Sequence, residues 1–190
     1  FIPISKLTEE TRSDVYVIAV GTPLDKNNVP NLAYIESASA HVGAHLTSGN
    51  IVILRSTVPM GTTRGVVTPI LAEKSGLTAG VDFHVAFAPE RTIEGKAIEE
   101  LRQLPQVIGG YNHVATELAS NMFSFLTKSI VTVNSLEEAE MVKLINNTYR
   151  DVTFAYANEM SMVARRWGLD TKRVIEAANF GYARSNVPLP

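Results

Sequence analysis

The chain of 190 residues sets 17 Lys and Arg against 19 Asp and Glu, a formal net charge of −2, so charge favours neither a nucleic acid nor an anionic membrane as a partner. Its 45% apolar content suits one domain or one and a half with a real core, and the absence of cysteine excludes disulfides and thiolate metal sites within these residues and fits a reducing compartment. No apolar run approaches the roughly 20 residues that span a bilayer and no charged-then-apolar leader is visible, although the first residue is Phe1 and the native start can lie upstream.

The first half alternates short β-branched runs with amphipathic stretches, the pattern of βα units on a parallel sheet. Residues 15–20 read as a continuous apolar strand, buried on both faces and stopped at Gly21-Thr22-Pro23. Asn31 is placed to cap a helix reaching about His45, with Leu32, Ile35, Ala38 and Val42 on one face. A strand at 51–54 follows, and Pro59-Met60-Gly61-Thr62 opens a helix near Thr63 that ends around Gly76. Further strands are expected at 83–87, 106–108 and 130–133, with a helix over 113–126 between the last two.

At Ser135 the texture changes. Ser135 and Glu138 form a capping box ahead of some thirty residues without Gly or Pro, which predicts one helix about 45 Å long. That exceeds what one small domain needs and suggests a connector or a subunit interface. Met141, Leu144, Ile145, Val152, Phe154, Met160, Val163 and Trp167 place apolar side chains nearly all round, so burial on several sides is expected. Gly168 stops the helix, Asp170 or Thr171 caps another through Ala178, and 181–190 is an irregular, Pro-rich tail.

Ligands of open parallel sheets bind outside the carboxyl ends of the strands, and three such loops are unusual. Gly21-Thr22-Pro23 offers close backbone approach and a hydroxyl, or is an ordinary turn. The segment from Arg55 to Gly61 puts two hydroxyls, Ser56 and Thr57, at a strand end, with a helix N-terminus beyond whose free N–H groups favour anions; a simple cap explains one hydroxyl but not the whole segment. Glu90 and Glu94 beside Arg91 are either a proton-handling pair or a solvated charge cluster. On the long helix Lys143, Asn147 and Asp151 share a face that either meets water or lines a site where an ammonium and an amide stabilise a developing oxyanion. The histidines at 41, 45, 84 and 113 show no ligand-like spacing, and no metal site is expected.

Five segments in register resemble the signatures of the UDP-glucose/GDP-mannose dehydrogenase family: VGTP at 20–23, STVPMGT at 56–62, PERxxxGxA at 89–97, VIGG at 107–110 and AEMVKLxxNxxRDV at 139–152. The resemblance covers nearly the whole chain. It implies an α/β fold, part of a Rossmann-type parallel sheet over 1–134, followed by a long central helix and an all-α dimerisation region over 135–190. Arg91 and Arg150-Asp151-Val152 are similar to the UDP-N-acetylhexosamine branch, which implies UDP-N-acetylmannosamine as substrate, with UDP-N-acetylglucosamine the close competitor. UDP-glucose or GDP-mannose oxidation is the nearest alternative, and a non-catalytic binding or dimerisation module on the same scaffold is another. The G-x-G-x-x-G turn and the family's catalytic cysteine are both absent from these residues, so the chain is read as a fragment, inactive alone.

What the family does implies the rest. Its members oxidise the sugar C6 alcohol twice with two NAD molecules, through an aldehyde and a thioester, for polysaccharide precursors. Transferred residue by residue, Lys143 and Asn147 stabilise the oxyanion, Thr57 holds the hydrolytic water, Glu90 positions or activates it, and Glu94 supports the site. Gly21, Thr22, Ser56 and Thr57 line the NAD cleft, while Arg91, Lys143, Asn147, Arg150 and Arg184 contact the UDP-sugar. A cytoplasmic homodimer through the central helices is implied, with no nucleic-acid or membrane partner.

Overall fold

The computed structural model describes residues 2–93, 95–184 and 186–190, in two compact units, one ending at Lys143 and the other Leu144–Pro190. In the first unit five strands lie side by side in chain order among the described residues: β1 (Val15–Ile18), β2 (Ile51–Leu54), β3 (His84–Phe87), β4 (Gln106–Gly110) and β5 (Ile130–Val133). Every residue of β2 and β4 is buried, as their unbroken apolar runs require of strands covered on both faces.

The β1–β2, β2–β3 and β4–β5 pairs are parallel, but β3 and β4 are antiparallel, with Phe87 opposite Gly109 and Ala86 opposite Gly110. The sheet is thus mostly parallel, as expected, with that one antiparallel pair added. Its cause is the connection: α3 (Ala97–Gln103), which has no counterpart among the expected elements, buries none of its residues and so makes no crossover against the sheet. Hydrophobic periodicity fixes the faces of a strand, not its direction.

On one face of the sheet Ile18, Leu54, Val85 and Phe87 pack with Ile35 and Val42 of α1 (Ala33–Gly43) and Leu71 of α2 (Thr68–Ser75); on the other, Ile53, Ala86 and Ile108 meet Ala119 and Phe123 of α4 (His113–Ser124). Each such large side chain, fully buried, contributes about 1.5–3 kcal/mol. Asn31 does serve α1, but from one position further out: its Oδ1 accepts the Ala33 N–H at 3.0 Å while Leu32 occupies the cap position. A π-helical turn at Thr63–Val67 leads into α2, which ends at Gly76 in the left-handed conformation, φ 70°.

The long helix α5 (Leu136–Arg166) starts in the first unit. Ser135 Oγ accepts the Glu138 N–H at 3.1 Å, and the Glu138 carboxylate reaches back to the N–H of Asn134 at 2.8 Å instead of that of Ser135, a capping box widened by one residue. The VIGG glycines now have a packing reason. A Cβ on Gly109 would lie 2.1 Å from the Ser135 carbonyl oxygen, so only glycine lets the first turn of α5 close onto β4.

In the second unit α5 continues and α6 (Thr171–Asn179) follows, capped by Asp170, whose side chain accepts the N–H groups of Lys172 and Arg173. Burial of the long helix on several sides is not found: Ala157, Ser161 and Ala164 are buried, whereas Ile145, Tyr149, Val152 and Trp167 are exposed. α6 is the one other helix of the unit among the described residues, and many apolar positions of α5 are left bare. No helix among the described residues is long and apolar enough to cross a membrane.

Candidate active site

Strands β1, β2 and β3 run parallel, so the segments beyond their carboxyl ends gather at one edge of the sheet. Two side-chain bonds stitch the first two together. Ser56 Oγ donates to the Val20 carbonyl and Thr22 Oγ1 donates to the Thr57 carbonyl, both at 2.6 Å. With those protons committed, the hydroxyls of Thr22 and Ser56 offer lone pairs to any ligand. Gly21 stands between them, and a Cβ built there meets nothing within 4 Å, so packing within the protein gives no reason for a glycine.

The strongest electrostatic feature is Arg55, which ends the apolar strand β2 and is 7% exposed. Its guanidinium donates to Glu90 Oε2 from Nη2 at 2.6 Å and from Nε at 3.2 Å, donates from Nη1 to Gln106 Oε1 at 3.2 Å, and lies 5.0 Å from the centre of the Phe123 ring. The other Glu90 oxygen accepts the Thr92 N–H at 2.8 Å. Burial pushes the Glu90 carboxyl up, but the Thr92 N–H and the Arg55 guanidinium together outweigh it and hold the group below its ordinary value. Glu90 is therefore ionised at neutral pH, a good hydrogen-bond acceptor and a weak base. It is part of a partly buried ion pair, not a solvated loop cluster.

Lys143 reaches the same place from α5, its ammonium donating to the main-chain carbonyl of Glu90. The helix is fixed there by Glu140, whose fully buried carboxylate accepts the N–H of Gly61 at 2.5 Å, the N–H of Thr63 at 2.8 Å and the Thr63 hydroxyl at 2.6 Å. The helix N-terminus expected to attract an anionic ligand is thus filled from within the chain by Glu140. Beside it Arg64 pairs with Glu137 at 2.6 Å and stacks 4.9 Å from the Tyr111 ring centre. That hydrogen bond raises the Arg64 guanidinium pKa and lowers that of the Glu137 carboxyl.

Gly21, Thr22, Ser56, Thr57, Glu90 and Lys143, together with Arg55 and Thr92, line one cleft of about 380 Å³. Six of the residues singled out from the sequence meet here. Glu94 lies outside the described residues. Arg91 does not line the cleft; its guanidinium donates to the Pro105 carbonyl. Asn147, Arg150 and Arg184 belong to the second unit, where Asn147 is half-buried, Arg150 is exposed beside Asp151 at 3.5 Å, and exposed Arg184 sits 5.8 Å from the Tyr182 ring centre. His45 Nδ1 meets the His41 carbonyl at 2.9 Å, an ordinary helix contact.

Comparison with known proteins agrees with this architecture. Residues 5–127 match the NAD binding domain of the UDP-glucose/GDP-mannose dehydrogenase family, and residues 137–186 match its central domain. The chain belongs to that family. Within it, the UDP-N-acetyl-D-mannosamine dehydrogenase of Pyrococcus horikoshii is 40% identical over 167 residues, which are 88% of this chain and 40% of the relative. A solved structure of UDP-D-ManNAc dehydrogenase from the same organism superposes with a TM-score of 0.88 at 39% identity, covering 94% of this chain and 42% of that one. A ternary complex of GDP-mannose dehydrogenase from Pseudomonas aeruginosa gives 0.84 at 31% identity, over 95% and 42%. The chain therefore spans less than half the length of these relatives.

The structure adds two site-shaping residues that motif and spacing did not mark. Arg55 and Glu140 lie inside or beside two of the family signatures, yet no role was read for either. Both carried a signal: a cation closing an apolar strand, and a carboxylate among the apolar residues Leu136 and Ala139 of a helix, each demand a buried partner.

Proposed function

We propose that the complete protein is a nucleotide-sugar 6-dehydrogenase, which oxidises C6 of a UDP-N-acetylhexosamine, UDP-N-acetylmannosamine foremost, to the uronic acid in two NAD-dependent steps for polysaccharide precursor synthesis. The observation that carries the proposal is the meeting of Lys143, Glu90 and the hydroxyl-bearing loops in one cleft outside the carboxyl ends of β1, β2 and β3. The names of the relatives support the choice of sugar.

Gly21, Thr22, Ser56 and Thr57 are the residues to hold NAD: the open space over Gly21 and the hydroxyl lone pairs suit a ligand rich in hydrogen-bond donors. Bound there, NAD supplies the hydride acceptor. Lys143 places its ammonium to stabilise the negative oxygen formed at C6, and Asn147, one turn along α5, is the second donor. Thr57 and Glu90 hold the hydrolytic water; the depressed pKa of Glu90 favours orienting that water as an acceptor over taking its proton outright. Glu94 supports them. Arg91, through donors not spent on Pro105, Arg150 and, from a neighbouring subunit, Arg184 contact the UDP-sugar. The bare apolar face of α5 at Tyr149 and Val152 supports a homodimer through the central helices, and the whole reading implies a cytoplasmic enzyme.

The test is to supply the complete protein with NAD and, in turn, UDP-N-acetylmannosamine, UDP-N-acetylglucosamine, UDP-glucose and GDP-mannose. Two NAD reduced per sugar, with the highest kcat/KM for UDP-N-acetylmannosamine, is the expected result. A preference for another sugar would overturn the substrate choice, and no NAD reduction with any would leave a binding module.

A further inference from the structure

The chemistry just described uses Glu90 but assigns nothing to the buried cation beneath it. Arg55 is held on three sides: its fork of Nη2 and Nε closes on a single Glu90 oxygen, its third donor is spent on Gln106 of β4, and its plane lies over Phe123 of α4. Taking a guanidinium out of water is costly unless each donor finds a partner, and simple packing against Phe123 would be met by an apolar side chain of similar volume. With Oε2 on Arg55 and Oε1 on the Thr92 N–H, the Glu90 carboxylate is fixed from both ends.

We infer that Arg55 is a positioning residue, which holds Glu90 as an ionised acceptor in one orientation on the wall of the cleft. The charged groups facing Glu90 among the described residues are Arg55 from the end of β2, Lys143 from α5, directed to the Glu90 main-chain carbonyl, and the adjoining Arg91, turned to Pro105; β4 and α4 present the uncharged Gln106 and Phe123. Arg55 is the one of these cations bonded to the carboxylate itself among the described residues. Without it, the hydrogen bond and the charge that help offset burial are lost, and the carboxyl takes up its proton at higher pH.

The inference rests on the dehydrogenase reading for its activity measurement alone. In the complete protein, the Glu90 carboxyl is titrated by NMR with isotope-labelled glutamate, its signal identified by its loss in Glu90→Gln. Arg55→Met is expected to raise the Glu90 midpoint by about 1–2 pH units, as loss of an adjacent arginine does. The acid limb of kcat/KM then rises by the same amount, and Arg55→Met adds no further shift in the Glu90→Gln background. An unmoved midpoint, or a shift that persists in Glu90→Gln, overturns the inference. Should Arg55→Met not fold, Arg55→Lys keeps the charge without the fork: a raised midpoint with kcat/KM down by up to about 10²-fold supports the positioning role, and a protein like wild type in both overturns it. A protein without dehydrogenase activity would remove the reading of function, while the titration would still decide what Arg55 does to Glu90.

Discussion

The first unit buries two charged side chains, Arg55 and Glu140, beside its cleft, whereas the second leaves most of its large apolar side chains exposed. Around the cleft, Arg55 is matched by Glu90 and Gln106, and Glu140 by two N–H groups and a hydroxyl, so polar groups are placed as firmly as Phe87 or Ile108. In the second unit α5 and α6 bury Ala157, Ala164 and Ile175 and leave Tyr149, Val152 and Trp167 in water. Apolar content alone does not make a core; what decides is how many elements are present to cover each face. Under the proposed function, the contrast corresponds to a division of labour in which one part would hold reacting groups in fixed geometry and the other would offer surface to a partner.

If the first unit is a preorganised site, its largest response is catalytic. Lys143→Ala in the complete protein should lower kcat by about 10²–10³, the usual cost of losing an oxyanion donor, in a steady-state assay of NAD reduction. Near-normal turnover would leave Lys143 a structural residue. Next comes Gly109→Ala, which drives a methyl against the Ser135 carbonyl. Overpacking of this kind should cost about 1–3 kcal/mol in denaturant unfolding, with no change in cofactor affinity beyond what the lost stability explains. Arg64→Met should cost less than about 1 kcal/mol, because the pair with Glu137 is partly exposed and screened. Its sign with pH is set by Glu137, whose carboxyl pKa is lowered in the folded state. The contribution is present above the unfolded carboxylate pKa and disappears as pH falls through the folded one, so wild type and Arg64→Met should converge in acid. Smallest in stability is Val152→Glu on the bare face of α5, within about 0.5 kcal/mol, yet it should shift the protein from dimer to monomer in sedimentation. A dimer that persists would end the proposed role of that face.

Much of the fold could be read from the sequence because it depends on local signals. The apolar runs over 15–20 and 51–54, the left-handed Gly76 and the Gly-free stretch behind Ser135 each mark an element without reference to the rest of the chain, although β1 stops at Ile18 and leaves Val17 exposed. The antiparallel β3–β4 pair, α3 and the widened cap at Asn134 were not legible, since strand direction and a short helix that buries none of its residues leave no periodic trace. At the site, the hydroxyls, Glu90 and Lys143 stood out by residue type and motif. Their partners did not: Arg55 meets Glu90 across 35 positions and Glu140 meets Gly61 across 79, distances over which no spacing rule operates.

The central claim, that ligand chemistry occupies the cleft beyond β1, β2 and β3, is tested most directly at Gly21, where an added side chain meets no protein atom within 4 Å at its Cβ. NAD binding to the complete protein and to its Gly21→Val variant would be measured by calorimetry, with thermal unfolding of each as the control. A fall in affinity of about tenfold or more, some 1.4 kcal/mol, with unchanged unfolding is the expected result. Equal affinity in the two proteins would contradict the placement of the cofactor in this cleft.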